Sequence, residues 1–272
     1  MPRPRSLREL LDLNDHALGQ CDLFRMNLLC AQGLPGTDNL DIDRCEFVVE
    51  KWARSINQVT KRHLYRATDP RYAKHYHSSE GYYRMEMMTQ VLQEDFGVRY
   101  NPARINEPDF KNPSDLFVHG MIENDNGGTC ASIPVLLVAV GRKLGYPLKL
   151  VSTKGHVFCR WDGNRERFNF EGTPNGGCAM HDDEYYTRGL FELTQKELSW
   201  GIYLQSKTPR QELASFMGLR GHCLQDHGRL SDAMEAYRLA HTLHPENPEY
   251  KFFGREIAGL QQSAPAQGRD LY

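Results

Sequence analysis

The sequence lacks the features that mark several large classes of protein. Its 33 lysines and arginines are offset by 35 acidic residues, for a net charge of −2, whereas dedicated nucleic-acid binders are usually strongly basic. No apolar run approaches the roughly 18 residues of a membrane-spanning helix. The opening segment, Met1 to Leu10, contains no apolar core of the kind found in secretion signals. We therefore expect a cytoplasmic protein that binds neither nucleic acid nor membranes.

Metal and disulfide motifs are also missing. The seven cysteines are scattered and include no Cys-x-x-Cys pair, so neither a disulfide framework nor a zinc knuckle is predicted. His75 and His77 are two residues apart, a spacing that does not place two ligands on one face of a helix. The acidic run Asp182–Glu184 lacks the alternation and the glycine of a calcium loop. The sequence predicts no metal and no cofactor.

Three zones follow one another along the chain. Apolar residues at helical spacing predict a helical N-terminal region over residues 1–95. Residues 96–205 form a core that starts with a proline-punctuated connecting loop to residue 123 and continues with a buried helix and alternating stretches. Residues 211–261 are again predicted to be helical. The predicted strands of the core cover residues 148–152, 155–161 and 167–170.

Cys130 stands at the end of a loop of small and polar residues and directly before a long apolar stretch that ends at Gly145 and Pro147. This pattern predicts that Cys130 opens a helix. The unpaired N–H groups and the positive dipole end of a helix favour a thiolate over a thiol, and the thiolate is the nucleophile. Cys130 is therefore the candidate nucleophile, whereas Cys159 and the other cysteines are predicted to be packing residues.

Two further side chains complete a candidate site. His156 lies near the start of one alternating stretch and Glu171 near the end of the next. On neighbouring strands two such residues can meet side by side, which makes His156 the candidate base and Glu171 the residue that orients its ring. Asn169 shares a strand face with Glu171, so either could orient His156. The Gly-Thr pair that follows Glu171 favours Glu171.

The candidate site also needs hydrogen-bond donors for an oxyanion. The backbone N–H of Cys130 is the natural donor at a helix start. Asn124 and Asn126, in the preceding loop, are the candidate side-chain donors. The competing interpretation is that a loop rich in Asn and Gly forms only a turn.

The C-terminal zone contains a helical-hairpin pattern. Five positions match the roughly 34-residue tetratricopeptide repeat, namely Gly221, Ala233, Tyr237, Ala240 and Pro245. Residues 248–261 predict a terminal capping helix. A lone helix pair cannot bury its apolar face by itself, so we expect this tail to pack on the core. The residues expected to be buried there are Leu213, Phe216, Leu219, Leu224 and Leu239.

The segments around the three candidate residues resemble a known family. Gly-Gly-Thr-Cys130, Gly-His156-Val-Phe and Phe-Glu171-Gly-Thr resemble, in order and type, the transglutaminase-like core, which also underlies papain-type cysteine peptidases in rearranged form. Cys130 and His156 match that pattern residue by residue. Glu171 matches the position of the acid, which is usually an Asp in the family.

The N-terminal zone extends the resemblance. The segments Asn27–Gly36 and Leu40–Asp43 and the stretch Tyr82–Phe96 resemble the SirB-type branch of that superfamily, whose members often carry a tetratricopeptide tail. Many members of the branch lack the nucleophilic cysteine, and its presence here favours chemistry. The resemblance implies an α+β fold with a helical N-terminal region, a cysteine helix packed on a small antiparallel sheet, and a C-terminal helix pair.

The predicted function is acyl transfer through a Cys130 thioester, with a protein or peptide as substrate. If water accepts the acyl group the protein is a peptidase or amidase, and if an amine accepts it the protein is a transglutaminase. The sequence leaves both outcomes open, because pocket shape and water access decide the acceptor. The alternative function is a non-catalytic adaptor, in which the core is a scaffold and the tail binds a protein partner.

Overall fold

The described part of the protein is an α+β structure that consists of helices and a four-stranded antiparallel sheet. The computed structural model describes residues 2–104, 108–123, 127–172, 178–188 and 191–263. Within these ranges no helix has both the length and the apolar character needed to cross a membrane.

Five α-helices lie in the described part of the N-terminal region. The N-terminal region comprises α1 (Leu7–Leu11), α2 (Asp15–Gly19), α3 (Leu23–Ala31), α4 (Ile42–Arg62) and α5 (Glu80–Glu94). The sequence of α3 is mostly apolar, and all of its residues are buried in the centre of the molecule. The long helix α4 begins after Asp41, whose carboxylate accepts a hydrogen bond from the Arg44 N–H at 2.9 Å. The side-chain cap satisfies a backbone donor that the first turn leaves unpaired.

The segment predicted as a connecting loop contains short helices as well. A single 3₁₀ turn, Pro102–Arg104, is followed by α6 (Pro113–Leu116) and α7 (Gly120–Glu123). Pro113 occupies the first turn of α6, where its missing N–H costs nothing. The prolines of this segment predict a loop, but Pro113 begins a helix. The next helix is α8 (Ile133–Lys143), which is buried along most of its length.

Four strands form the sheet in the order of the chain. They are β1 (Leu148–Thr153), β2 (His156–Asp162), β3 (Arg167–Gly172) and β4 (Cys178–His181), and each pairs antiparallel with the next. The first three strands match the predicted ones to within two residues, whereas β4 was not predicted. Cys159 pairs with Phe170 across β2 and β3, and both side chains are buried. The Cys159 thiol donates to the Pro134 carbonyl at 3.4 Å, so this face of the sheet packs on α8.

The C-terminal zone is a set of helices packed on the rest of the molecule. It comprises α9 (Gln195–Ser199), α10 (Pro209–Asp226), α11 (Leu230–Leu243) and α12 (Glu249–Ser263). The hairpin of α10 and α11 closes where Gly221 faces Tyr237, since a Cβ on Gly221 would lie 2.5 Å from the tyrosine ring. A larger residue than glycine would force the two helices apart.

Helix α10 docks on the N-terminal region, where it contacts α2 and α3, and on α8. Of the five tail residues expected to be buried, Leu213, Phe216 and Leu224 are buried, and Leu219 and Leu239 are partly buried against the core. The guanidinium of Arg142, on α8, donates to both carboxylate oxygens of the buried Glu212 at 2.6 and 3.0 Å. Such a bidentate pair has a fixed geometry, so it holds α10 against the core at a defined place.

Candidate active site

Cys130 lies in a tight turn that is tied down by hydrogen bonds. The Thr129 and Ser132 hydroxyls both donate to the Asp115 carbonyl, at 2.8 and 3.0 Å. The Thr129 N–H in turn donates to the Ser132 hydroxyl at 3.0 Å. These bonds are buried, which makes them costly to break. The turn therefore presents the half-buried Cys130 side chain on a rigid support.

The preceding glycine is required by the backbone. Gly127 has a φ of +83°, and a Cβ there would also lie 2.6 Å from the Arg99 carbonyl oxygen. The adjacent Gly128 N–H donates to that same oxygen at 2.8 Å. A side chain at Gly127 would break this close approach of two backbone segments, so the Gly-Gly pair before Cys130 fixes the path of the loop.

The prediction that Cys130 opens a helix was wrong by three residues. Helix α8 begins at Ile133 and Ser132 is its N-cap. Ser132 cannot cap the helix with its side chain because its hydroxyl is engaged by Thr129 and Asp115. Cys130 therefore precedes the helix in a turn whose Ser132 and Ile133 N–H groups donate to the Thr129 carbonyl.

His156 and Glu171 meet side by side, as predicted for residues on neighbouring strands. His156 is the first residue of β2, and its Nε2 lies 2.9 Å from Oε1 of Glu171 on β3. Their side chains are 11% and 19% exposed, so water screens the pair only weakly. Cys130 lines the same cavity as His156, and its charge acts on the imidazole. Because Glu171 engages Nε2, Nδ1 is the ring nitrogen that does not contact Glu171.

The charges of these three groups favour the imidazolium form of His156. Burial would lower the pKa of His156, but hydrogen bonds and charges from Cys130 and Glu171 outweigh it and raise the pKa to about 9. Burial would likewise raise the pKa of Glu171, yet its interactions with His156 hold the pKa below its ordinary value. At neutral pH the site therefore contains a protonated His156 beside an ionised Glu171.

Aromatic rings form one wall around His156. The Phe191 ring stacks on the imidazole at a centroid distance of 4.8 Å, and Tyr186 and Phe158 lie slightly farther, stacked on each other at 3.7 Å. The buried Tyr186 hydroxyl lies beside the Glu171 carboxylate, at a geometry short of a full hydrogen bond. The rings orient the imidazole and favour its cationic form.

Asn169 does not contact His156. It is buried on β3 and belongs to a separate polar network, in which its amide donates to Asp183 at 2.8 Å and its carbonyl accepts from Arg160 at 2.7 Å. Arg160 is only 1% exposed and also pairs with Asp183. A buried guanidinium requires such partners. Of the two side chains that could orient His156, only Glu171 reaches the ring.

Only one of the predicted oxyanion donors, the Cys130 N–H, lies within the described residues. Asn124 and Asn126, the candidate side-chain donors, lie outside the described residues. The backbone N–H of Cys130 is paired with no acceptor among the residues that the structure describes. The next N–H, of Ala131, donates to the Thr129 hydroxyl at 3.2 Å. The Cys130 N–H is therefore the backbone donor available beside the thiol.

The other cysteines lie in environments that disfavour a thiolate. Burial raises the pKa of Cys30, Cys45 and Cys223 to about 12 and that of the half-buried Cys21 and Cys178 to about 11. Burial also raises the pKa of Cys159 well above its ordinary value. None of the described partners of these six thiols is a histidine.

The two clusters weighed as metal sites are engaged in protein contacts. His75 pairs with Glu86 at 2.6 Å on the surface. In the acidic run, Asp183 pairs with Arg160 and Glu184 with Arg188. Asp182 accepts the Tyr185 N–H at 2.9 Å. These carboxylates therefore serve ion pairs and a turn.

A cavity of about 270 Å³ opens beside Cys130 and His156. Sequence reasoning did not anticipate its far wall, which comes from the C-terminal helices: α10 contributes Leu219 and His222, and α12 contributes Tyr250. Lys207, in the segment before α10, also lines the cavity. The sequence did predict that the C-terminal tail packs on the core. That prediction is the signal from which a wall formed by α10 could have been inferred.

Comparison with known proteins gives no relative of this chain. The chain matches no family model, no curated protein and no solved structure. The features that bear on function are therefore the arrangement of Cys130, His156 and Glu171 and the cavity beside them.

Proposed function

We propose that the protein transfers acyl groups through a thioester on Cys130, in a core of the transglutaminase-like type. The observation that carries the proposal is the position of His156, which lines the same cavity as Cys130 and lies 2.9 Å from the Glu171 carboxylate. Nucleophile, base and orienting acid are the three parts of an activated-cysteine site. The SirB-type resemblance belongs to the same proposal and rests on the sequence segments that carry it.

The proposed reaction begins with an ion pair of Cys130 thiolate and His156 imidazolium. The sulfur attacks the carbonyl carbon of an amide, and the oxyanion that forms accepts a hydrogen bond from the Cys130 N–H. The imidazolium then gives its proton to the leaving amine as the C–N bond breaks. This leaves a thioester on Cys130 and a neutral His156.

The second half of the reaction restores the enzyme. Neutral His156 takes a proton from water or from an amine as that acceptor attacks the thioester carbonyl, and the C–S bond breaks to return the thiolate. Glu171 holds the ring with Nδ1 toward the sulfur and stabilises the imidazolium in both halves. Water gives a peptidase or amidase, and an amine gives a transglutaminase.

Thiol labelling tests the nucleophile. Native protein is treated with limiting iodoacetamide from pH 5 to pH 10, and the labelled sites are identified by mass spectrometry. We expect Cys130 to be labelled first at pH 6, well below the ordinary cysteine pKa of about 8.5. Cys21 and Cys178 are the matched controls, because their exposure is comparable to that of Cys130. Equal labelling of all three at pH 6 would contradict the proposal.

The acceptor is tested with an acyl-enzyme. A p-nitrophenyl ester should add one acyl group to Cys130, detected by intact mass, and Cys130→Ser should abolish that adduct. Decay of the adduct is then followed with and without a primary amine such as methylamine. Faster decay with formation of the N-methyl amide indicates a transglutaminase, and an unchanged rate indicates a hydrolase.

The alternative of a non-catalytic adaptor makes the opposite expectation. It requires no activated thiol, so Cys130 would react like the control cysteines and form no acyl adduct. The position of the C-terminal helices favours the enzyme, because α10 and α12 form a wall of the cavity beside Cys130. A tail used only to recruit a partner would have no reason to line that cavity.

A further inference from the structure

Lys207 has a fixed position at the edge of the sheet. It lies in the segment that precedes α10, where the Leu204 N–H donates to the Ser152 carbonyl and the Lys207 N–H to the Leu150 carbonyl, both at 2.9 Å. These bonds align the segment along β1 in the manner of an added strand. The lysine side chain therefore starts from a rigid backbone next to the strand that precedes His156.

The Lys207 side chain is largely buried, and its ammonium group has no partner among the described residues. The residue is only 7% exposed, and among the described residues no hydrogen bond or ion pair reaches its Nζ. The two carboxylates whose charges act on Lys207 are hydrogen-bonded to other groups, since Glu212 binds Arg142 and Glu249 accepts the Tyr203 hydroxyl at 2.6 Å. A buried, unpaired charge is costly and is rarely kept without a use.

The environment of Lys207 leaves it charged near neutral pH. Burial lowers the pKa of the ammonium to about 8, against the raising effect of Glu212 and Glu249. The group is therefore mostly protonated at pH 7. It is a cation that loses little solvation energy when it meets an anion, because burial has already removed much of its water.

Lys207 and the candidate catalytic groups face the same space. Lys207, Cys130 and His156 all line the cavity of about 270 Å³, which is at the lower end of the range for ligand sites. A space of this size holds a small ligand or the end of a chain. A single ammonium beside Glu249 matches a monoanion such as a carboxylate better than a doubly charged phosphate.

We propose that Lys207 binds a carboxylate of the substrate, so that the cavity accepts a small peptide or amide with a carboxylate close to the carbonyl that Cys130 attacks. The inference rests on the proposed function, because it uses Cys130 as the reacting atom. It adds the substrate class, which the Cys130–His156–Glu171 arrangement does not determine. The ion pair would satisfy the Lys207 ammonium and place the acyl carbon at the sulfur.

The test uses alkylating probes that differ only in charge. N-Iodoacetyl derivatives of glycine, 4-aminobutyrate and 6-aminohexanoate place the carboxylate at three distances from the reactive carbon, and the methyl ester of each is its neutral control. The rate of Cys130 labelling is measured for acid and ester on the full-length protein at pH 7. Plain iodoacetamide is measured in parallel as a probe of thiol activation alone.

For at least one spacing the acid should label Cys130 about tenfold faster than its ester, which is the effect of one charge-assisted hydrogen bond. Lys207→Met should remove this preference, Lys207→Arg should keep part of it, and Lys196→Met, at an exposed lysine on α9, should leave it unchanged. Labelling by iodoacetamide should be equal in all four proteins.

The outcomes separate the two proposals. An acid-to-ester ratio near one for all three spacings in the unsubstituted protein overturns the carboxylate site, even if Lys207→Met does not fold. A preference that survives in Lys207→Met overturns it as well, because another group then attracts the acid. If Cys130 reacts with iodoacetamide no faster than Cys21, the failure lies instead in the proposed function.

Discussion

Replacing Glu171 by Gln should change the charge state of His156 without disturbing the fold. Gln has nearly the same shape as Glu and can still accept a hydrogen bond from Nε2 through its amide oxygen. What the substitution removes is the negative charge that lies 2.9 Å from the ring. Because the two side chains are largely shielded from water, this charge has a strong effect on the imidazolium.

The size of the effect follows from the geometry. A hydrogen bond between charged groups contributes about 1.5–3 kcal/mol, against about 0.5–1.5 kcal/mol for a neutral one. The pKa of His156, about 9 in the native protein, should therefore fall by about one unit, to about 8, in Glu171→Gln, since each pKa unit corresponds to about 1.4 kcal/mol. The imidazolium fraction of His156 at about pH 8.5 should then fall by about threefold.

The assay is an NMR titration of histidine ring carbons. The chain has eleven histidines, and the signal that disappears in His156→Gln identifies His156. Glu86→Gln is the matched control, because Glu86 forms a similar contact with His75 at the surface and should leave His156 unchanged. The reasoning is refuted if native His156 titrates at or below 6.5, or if Glu171→Gln leaves its pKa where it was.

Three further predictions follow from the packing and charge of the molecule. The folded-state pKa of His156 is raised from 6.5 to about 9, so the stabilisation of the fold by this residue is complete below pH 6.5 and is lost as pH rises through 9. In urea titrations, the difference in unfolding free energy between native protein and His156→Gln should therefore shrink by roughly 3 kcal/mol over that interval. Gly221→Ala should destabilise the protein by about 1–3 kcal/mol, because the new Cβ would meet Tyr237 at 2.5 Å, whereas Gly254→Ala, in open space on α12, should stabilise it by roughly 0.5–1 kcal/mol; equal melting temperatures for the two variants would contradict the packing. Deletion of residues 211–272 should lower the melting temperature of the remainder and abolish the acid preference of the alkylating probes, and a truncated protein with both properties unchanged would mean that the tail is an independent module.

Local signals in the sequence fixed the elements and part of the site. Alternation gave three strands to within two residues, because one face of each strand must be buried. It also placed Glu171 on a strand next to His156, where a neighbour can reach the ring. The small and polar residues before Cys130 indicated a loop that ends at the cysteine, and the structure places Cys130 in a turn before α8. The Gly221 and Tyr237 spacing predicted the helix contact that the structure contains.

Other features were settled only by contacts between distant segments. Phe47 has the helical spacing of a core residue but is 58% exposed, because none of the described elements covers that part of α4. Strand β4 has no alternating pattern, since all four of its residues are half-buried, and it exists through its pairing with β3. Helix α8 begins at Ile133 rather than at the predicted Cys130. The Thr129 and Ser132 hydroxyls donate to the Asp115 carbonyl and hold the intervening residues in a turn.

The choice between Asn169 and Glu171 also depended on tertiary structure. Both lie on one face of β3, and only the presence of Arg160 and Asp183 draws Asn169 away from His156. Lys207 carries no sequence signal at all, since a lysine before a helix is usually solvated. It became a candidate binding residue because β1 pairs with its backbone and the C-terminal helices close over its side chain. Periodicity reports which face of an element is buried, but the residues that meet across a cavity are set by how the elements pack.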